Sequence, residues 1–176
     1  MSLSDEAADN ARVIREDGDM WGLVLVRDLR HSPEVVWEAL TDPDQLQEWA
    51  PFDASGSLAQ QGTRVTLSTA KAPTPMSSET VVLRADRPRL LEYTWGGSDL
   101  RWELAPHEGG TRLTLHTRID RRYIAMGAAG WHLCVDVLQQ YIAGTPQGRT
   151  VGTDALQSAD WHRLHAMYRE EFAAEQ

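Results

Sequence analysis

The chain has 176 residues, of which 41% are hydrophobic and 24% charged, the size and composition of one globular domain. Its 17 basic and 26 acidic residues give a formal net charge of −9, and an acidic surface disfavours nucleic acid as a partner. The single cysteine, Cys134, excludes an internal disulfide framework and a thiolate zinc cluster. Seven tryptophans beside two phenylalanines are the unusual feature of the composition.

The chain contains no apolar run of the ~20 residues that a membrane-spanning helix needs. Residues 1–10, MSLSDEAADN, lack the basic and apolar regions of a signal peptide, and their small, polar and acidic composition predicts a disordered tail. We therefore expect a cytoplasmic protein with no membrane span.

The first third of the chain predicts two strands and two short helices. Residues 20–29 are rich in apolar residues and predict a strand, and residues 12–16 predict its partner across an Asp17-Gly18 turn. Ser32 and Pro33 provide the cap and first turn of a helix, and the sequence Thr41-Asp42-Pro43 repeats this signal for a second one.

Residues 57–120 alternate between apolar and polar side chains, which is typical of half-buried strands. Turn residues separate the segments, and such short connections favour an antiparallel meander. Leu100, Trp102 and Leu104 share one face, so one side of this sheet is apolar and needs a cover. The five predicted strands are 63–70, 78–86, 90–95, 99–106 and 110–120.

The cover is predicted to be a long helix over residues 122–143, whose apolar stripe includes Trp131, Val135 and Leu138. Gly127 and Gly130 interrupt the first half of this stripe and leave room beside it. A Gly/Pro-rich connection then leads to a final helix at 153–173. These elements predict an α+β fold in which a curved antiparallel sheet wraps around the long helix.

Several motifs, and the order in which they follow one another, resemble those of the SRPBCC (START-like) superfamily. The sequence SPEVVWEALTDP at 32–43 is similar to its opening helices, and LEYTW at 91–95, RWEL at 101–104 and GTRLTL at 110–115 are similar to its strands. Gly130-Trp131 and the residues after it resemble its closing helix. The nearest branch is the one that resembles the C-terminal domain of the activator of the 90-kDa heat-shock-protein ATPase.

The resemblance covers roughly residues 20–144. It implies a helix-grip fold with a cavity between sheet and long helix, and no cofactor. We expect the helix-grip domain to span 11–144, and residues 145–176 to form a linker and a C-terminal helix packed on the same domain. Members of the superfamily bind lipids, polyketides, hormones or partners, and a few catalyse cyclisations, so the resemblance alone does not assign a function.

The polar residues define no catalytic or metal site. His132 and Asp136 are four apart on the long helix and could hydrogen-bond, which we interpret as a pair at the surface or rim rather than an acid–base dyad. Cys134 lies in the apolar stripe and is expected to be a buried, inert thiol. Glu79 shares its strand face with apolar residues and is the only polar candidate for the cavity.

The tryptophans are more informative because the predicted fold brings most of them to the space between sheet and helix. They either fill this core or surround an apolar pocket, and as a set they favour the pocket. The candidate cavity residues are Trp37, Trp49, Phe52, Glu79, Trp95, Trp102, Leu104, Leu115, Trp131, Val135 and Leu138.

The leading hypothesis is a protein that binds a small hydrophobic, lipid-like or polyketide-like molecule without catalysis. One alternative is a chaperone-associated interaction protein, which is disfavoured because the chain has no room for the activator's N-terminal domain. The other is a cyclase, dehydratase or hydrolase that acts in the same cavity, for which the sequence offers no established dyad. A homodimer is left open.

Overall fold

The computed structural model describes residues 11–174, and the predicted tail at 1–10 lies outside them. The architecture is the α+β arrangement that the sequence predicts. The strands are β1 (Ala11–Ile14), β2 (Met20–Leu29), β3 (Phe52–Ala54), β4 (Arg64–Thr69), β5 (Ser77–Val81), β6 (Arg84–Asp86), β7 (Leu90–Trp95), β8 (Ser98–His107) and β9 (Gly110–Asp120). The helices are α1 (Pro33–Thr41), α2 (Pro43–Leu46), α3 (Ile124–Ile142), α4 (Gly152–Leu156) and α5 (Ala159–Ala174).

All strand pairs are antiparallel. Six strands form one sheet in the order β1-β2-β9-β8-β7-β6, and three form a second in the order β3-β4-β5. The predicted strand at 78–86 is divided between the two sheets. The Val82 N–H donates to the carbonyl of Thr63, whereas the Leu83 N–H donates to the carbonyl of Glu92, so the chain leaves one sheet and joins the other at this point.

The two short helices begin as predicted. The Ser32 hydroxyl accepts from the Val35 N–H at 3.4 Å, and the Asp42 carboxylate accepts from the Asp44 N–H at 2.9 Å. Each cap satisfies a backbone donor that the first turn leaves free, and the proline that follows each cap needs no such partner. These helices lead from β2 to β3 and carry Trp37 and, just after them, Trp49 into the core.

Helix α3 covers the apolar face of the six-stranded sheet and is itself buried on most of its circumference. Helix α5 packs against α3, and its buried face consists of Trp161, Leu164, Tyr168 and Phe172. The predicted single helix at 153–173 is two helices, α4 and α5, joined by a turn in which the Ser158 N–H donates to the carbonyl of Ala155. No helix within residues 11–174 has the length and apolarity to cross a membrane.

β9 approaches the end of β2 so closely that one added methyl group at Gly110 should destabilise the fold. A Cβ added at Gly110 would overlap the backbone carbonyl oxygen of Leu29, which the pairing of the two strands holds in place. We expect Gly110→Ala to lower the free energy of unfolding by about 2 kcal/mol or more, as overpacking does. Urea denaturation measures this change.

The matched control is Gly56→Ala, because a Cβ at Gly56 meets no atom within 4 Å. Its free energy of unfolding should stay within about 0.5 kcal/mol of the wild type. Equal effects of the two substitutions would contradict the packing of β9 against β2.

Candidate functional site

Four indole rings follow one another through the interior between the sheet and α3. The ring centroids of Trp49 and Trp102 are 5.8 Å apart, those of Trp102 and Trp131 5.7 Å, and those of Trp131 and Trp95 5.9 Å. All three pairs are close to perpendicular, the edge-to-face geometry that aromatic rings prefer. We call these four residues the indole row.

Two further aromatic rings and two hydrogen bonds complete the row. The ring centroid of Phe52 lies 5.2 Å from that of Trp95 and 6.1 Å from that of Tyr93. The Trp102 Nε1–H donates to the Tyr93 hydroxyl at 3.3 Å, and the Trp49 Nε1–H donates to a carbonyl of α1 at 2.9 Å. The middle of the domain is therefore filled by side chains, and the cavity that was expected there is displaced toward one end of the row.

At that end lies an apolar pocket of about 340 Å³. Its walls come from the first half of α3, from the end of β7, from two loops and from the segment that contains α4 and the start of α5. We call it the tryptophan pocket. It is lined by Pro51, Ala72, Pro73, Trp95, Gly127, Gly130, Trp131, Cys134, Thr150, Val151, Gly152, Thr153, Ala155, Leu156 and Trp161.

The two glycines of α3 that line this pocket have different surroundings. A Cβ at Gly127 would overlap the terminal methyl group of Ile119, so a larger residue there would have to displace that side chain. A Cβ at Gly130 would meet no atom within 4 Å. Glycine inside a helix costs about 1 kcal/mol relative to alanine. No neighbouring atom requires this loss at Gly130, which borders the open space of the pocket.

The opposite wall is held by backbone contacts. Gly152 has a φ of +56°, and a Cβ there would overlap the carbonyl oxygens of Ala70 and Lys71. The Thr153 N–H donates to the Lys71 carbonyl at 3.1 Å, and the Lys71 ammonium pairs with the Asp154 carboxylate. These contacts fix α4 against the loop that follows β4.

Cys134 lies at the back of the pocket and is 3% exposed. Burial raises the pKa of its thiol to about 12, so the sulfur is protonated at neutral pH and forms part of an apolar wall. The expectation of a buried, inert thiol agrees with this environment.

Only two of the eleven predicted cavity residues line the tryptophan pocket, namely Trp95 and Trp131. Trp37, Trp49 and Trp102 are fully buried in the core instead. The reason is that edge-to-face packing of the aromatic rings fills the space between sheet and helix, where the sequence predicted a cavity. The others that lie in the core are Phe52, Leu104, Leu115, Val135 and Leu138.

The prediction that Glu79 faces the interior is wrong. Its side chain is 64% exposed and pairs with Arg64 on the neighbouring strand at 3.3 Å. Val81, on the same face, is also exposed, and the inward residue of β5 is Thr80. The Thr80 hydroxyl accepts from the Thr94 N–H at 2.9 Å, which joins the second sheet to β7. The apolar side chains on the Glu79 face, Val81 and Leu83, are exposed, so they did not indicate a buried face.

The interpretation of His132 and Asp136 as a surface pair is also wrong. The His132 side chain is fully buried, and its Nδ1 lies 2.8 Å from the hydroxyl of Tyr168 on α5. Its Nε2 lies 3.7 Å from the Asp136 carboxylate. Asp136 in turn pairs with Arg27 of β2 at 2.7 Å, and Arg27 donates to the side-chain oxygen of Gln139 at 2.7 Å. We call these five residues the polar relay.

The charges of the relay are defined by its environment. Burial raises the pKa of Asp136, and the Arg27 guanidinium opposes this shift. Burial also raises the pKa of Tyr168 well above its usual range, so its hydroxyl keeps its proton. The relay lies on the side of α3 away from Gly130, and none of its members lines the tryptophan pocket. It joins β2, α3 and α5 and offers the pocket no acid or base.

Sequence reasoning missed Arg27, although a signal was present. In β2, Arg27 is on the same face as Leu23, Leu25 and Leu29 and therefore faces the interior. A buried arginine needs a charged partner, and Asp136 is the one acidic residue in the sequence of α3. These two patterns together predict the ion pair.

The curved sheet, the long closing helix and the two short helices after the first long strand define a helix-grip (START-like) fold. The family model described as Activator of Hsp90 ATPase homolog 1-like protein matches residues 30–143. The chain belongs to this family. No curated protein matches the sequence.

Solved structures support the same fold. The conserved protein EF2215 of Enterococcus faecalis, whose function is unknown, has a TM-score of 0.72 at 15% identity, with 98% of this chain and 96% of that chain covered. CalU16 from Micromonospora echinospora has a TM-score of 0.68 at 21% identity, covering 93% and 95%. An AHSA1-like protein from Aeromonas hydrophila has a TM-score of 0.58 at 20% identity, covering 72% and 96%.

The polar relay predicts a large effect for loss of its arginine. Arg27→Met removes the cation and leaves the buried Asp136 carboxylate without its guanidinium partner, which costs about 3–5 kcal/mol in similar cases. We expect the free energy of unfolding at pH 7, measured in urea, to fall by this amount.

Arg112→Met is the matched control, since Arg112 also pairs with an aspartate, Asp28, but both side chains are about half exposed. It should change the free energy of unfolding by less than about 1 kcal/mol. A similar loss in both variants would show that burial of the relay does not matter.

The environment of Cys134 predicts slow thiol chemistry. With a pKa of about 12, roughly one thiol in ten thousand is ionised at pH 8, against about a quarter for an ordinary cysteine. We expect iodoacetamide to alkylate the native protein at least ~100-fold more slowly than the urea-unfolded protein. Mass spectrometry follows the reaction without ambiguity because the chain has one cysteine. Native and unfolded rates within about tenfold of each other would contradict the assigned burial.

Proposed function

We propose that this protein binds a small, uncharged, apolar molecule in the tryptophan pocket. The observation that carries the proposal is the open space between Gly130 and the indoles of Trp95, Trp131 and Trp161. Indole rings on several sides of one space offer a ligand large apolar contacts in a pocket whose walls are already formed.

The size and polarity of the pocket restrict the ligand. A volume of about 340 Å³ lies at the lower end of the range for small-molecule sites. Apart from backbone groups and indole N–H groups, the polar atoms of the wall are the Cys134 thiol and the hydroxyls of Thr150 and Thr153. The Thr153 hydroxyl already donates to the Lys71 carbonyl. An ionised ligand would lose its hydration without gaining a counter-charge, which favours uncharged molecules.

The walls favour binding over acid–base catalysis. Among the described residues that line the pocket, Cys134 is the one titratable group, and burial raises its pKa. The buried histidine of the polar relay lies on the opposite face of α3, against Tyr168, and Glu79 lies on the outside of the second sheet. A ligand in this pocket is therefore held and shielded from water, with no proton donor or acceptor tuned for neutral pH in contact with it.

The proposal predicts that a side chain at Gly130 blocks binding without unfolding the protein. The probe is N-phenyl-1-naphthylamine, an uncharged aromatic molecule whose fluorescence rises in apolar sites. We expect one probe per wild-type chain, with energy transfer from the surrounding indoles. In Gly130→Leu the added side chain occupies the pocket, so affinity should fall at least ~10-fold, equivalent to about 1.4 kcal/mol.

The control is Ala173→Leu, which adds similar apolar bulk at an exposed position of α5. Its probe affinity should equal that of the wild type. The thermal midpoint of Gly130→Leu should be equal or higher, because leucine is a better helix former than glycine. Unchanged affinity in Gly130→Leu, or no binding to the wild type up to about 100 µM probe, would refute the proposal.

A further inference from the structure

We propose that a cleft at one end of the six-stranded sheet binds the phosphate group of a small molecule. The cleft has a volume of about 470 Å³ and is lined by Arg15, Trp21, Arg121 and Arg122. We call it the arginine cleft. It shares no lining residue with the tryptophan pocket, so this proposal is independent of the function proposed above.

Three strands bring the residues of the arginine cleft together. Arg15 directly follows β1, Trp21 lies at the start of β2, and Arg121 directly follows β9. Trp21 pairs with Ile119 near the end of β9, and the Arg121 N–H donates to the carbonyl of Asp19 at 2.7 Å. The cleft therefore lies where β1 ends, β2 begins and the chain passes from β9 toward α3.

The direction of successive side chains separates the charges by sign at this place. Arg15 lies over the ring of Trp21, which is buried on the inner side of the sheet, with its Cζ 5.5 Å from the ring centroid. The next residue, Glu16, lies on the outer side, where its carboxylate pairs with Arg118 at 2.7 Å. Neighbouring residues of an extended chain point to opposite faces, so the cation lines the cleft and the carboxylate does not.

Two guanidinium groups of the cleft retain free hydrogen-bond donors. Within residues 11–174, no carboxylate pairs with the Arg15 guanidinium, and the Trp21 ring defines its position. The Arg121 guanidinium lies 3.7 Å from the Asp19 carboxylate, which is beyond hydrogen-bond distance. Since each guanidinium has several N–H donors in one plane, both residues can donate to a ligand in the cleft.

The third guanidinium, that of Arg122, is held in place by Asp120. Its Nε–H and Nη2–H donate to the Asp120 carboxylate at 3.0 and 2.7 Å, and the backbone N–H of Arg122 donates to the same carboxylate at 2.9 Å. These bonds lower the pKa of Asp120 to about 2, so the pair stays ionised at neutral pH. The Nη1 group of Arg122 takes no part in these bonds and can donate to a ligand.

This set of donors favours a phosphate monoester over a single carboxylate. The phosphate group carries nearly two negative charges at neutral pH and three acceptor oxygens, which several guanidinium groups can bind together. An extended anionic surface is disfavoured, because Asp17 and Asp19 are exposed in the turn beside the cleft and the chain has a net charge of −9. We therefore assign the cleft to a free small molecule and not to a membrane.

Inorganic phosphate tests the proposal, with the ¹⁹F resonance of Trp21 as a local reporter. The protein is labelled with 5-fluorotryptophan, resonances are assigned by Trp21→Phe and Trp161→Phe, and phosphate is titrated at pH 7.5 and constant ionic strength. We expect a saturable shift of the Trp21 resonance with a dissociation constant of about 1 mM, and no shift of Trp161 in the tryptophan pocket. The absence of a saturable Trp21 shift up to about 20 mM phosphate would overturn the proposal.

Substitutions identify the guanidinium groups that bind. Arg15→Gln and Arg121→Gln should each raise the dissociation constant at least ~5-fold, because each removes charged donors. Both side chains are exposed, so we expect these variants to fold. Arg64→Gln is the matched control, since it removes the same charge from an exposed arginine of β4 that pairs with Glu79, and it should keep the wild-type affinity. Unchanged affinity in the two cleft variants, or equal weakening in all three, would overturn the assigned site.

Vesicles distinguish a free ligand from a lipid headgroup. Vesicles of phosphatidylcholine and phosphatidic acid present the same phosphate group on a surface. We expect the wild-type protein to remain in the supernatant when these vesicles are sedimented. Sedimentation that is lost in the double variant Arg15→Gln, Arg121→Gln would assign the cleft to a membrane surface and overturn the assignment to a free small molecule.

Discussion

The edge-to-face packing of the indole row is the constraint on which the rest of the site depends. The row links the chain after α2, two strands of the sheet and the long helix, so four parts of the sequence meet through rings about 5.7 to 5.9 Å apart. A helix-grip fold can enclose a deep cavity between sheet and helix, but here that volume is occupied. The tryptophan pocket lies where the row ends, and Trp95 and Trp131 belong both to the row and to the wall of this pocket.

Helix α3 separates two environments that perform different tasks. On one side, Gly130 and Cys134 face an apolar space, and no charged side chain within residues 11–174 lines it. On the other, His132 and Asp136 belong to a buried relay that includes an ion pair. Buried ion pairs add little net stability compared with apolar packing, but they impose a geometry that apolar contacts do not. A relay of this kind is therefore better suited to fixing the register of three elements than to strengthening them.

Much of the fold was predictable because it is encoded locally. The caps at Ser32 and Asp42, the alternation in the meander and the family motifs each define an element within a few residues. The site was less predictable because it depends on contacts between distant segments. His132 seemed to lie at the surface since nothing near it in sequence announces that α5 and Tyr168 cover it. Glu79 seemed to face inward since an exposed apolar neighbour gives the same pattern as a buried one.

The division between the family domain and the C-terminal segment bears on how function is transferred among relatives. All four rings of the indole row fall inside the segment that matches the family model, whereas Trp161 and the α4 wall fall outside it. The family match therefore includes the filled interior of this chain but not the C-terminal part of the pocket wall. EF2215 of Enterococcus faecalis shares the fold over 98% of the chain, including this segment, at only 15% identity. Because a pocket's specificity depends on the few side chains that line it, the residues that correspond to 150–161 must be compared, together with those inside the family match, before a function is carried from one such protein to another.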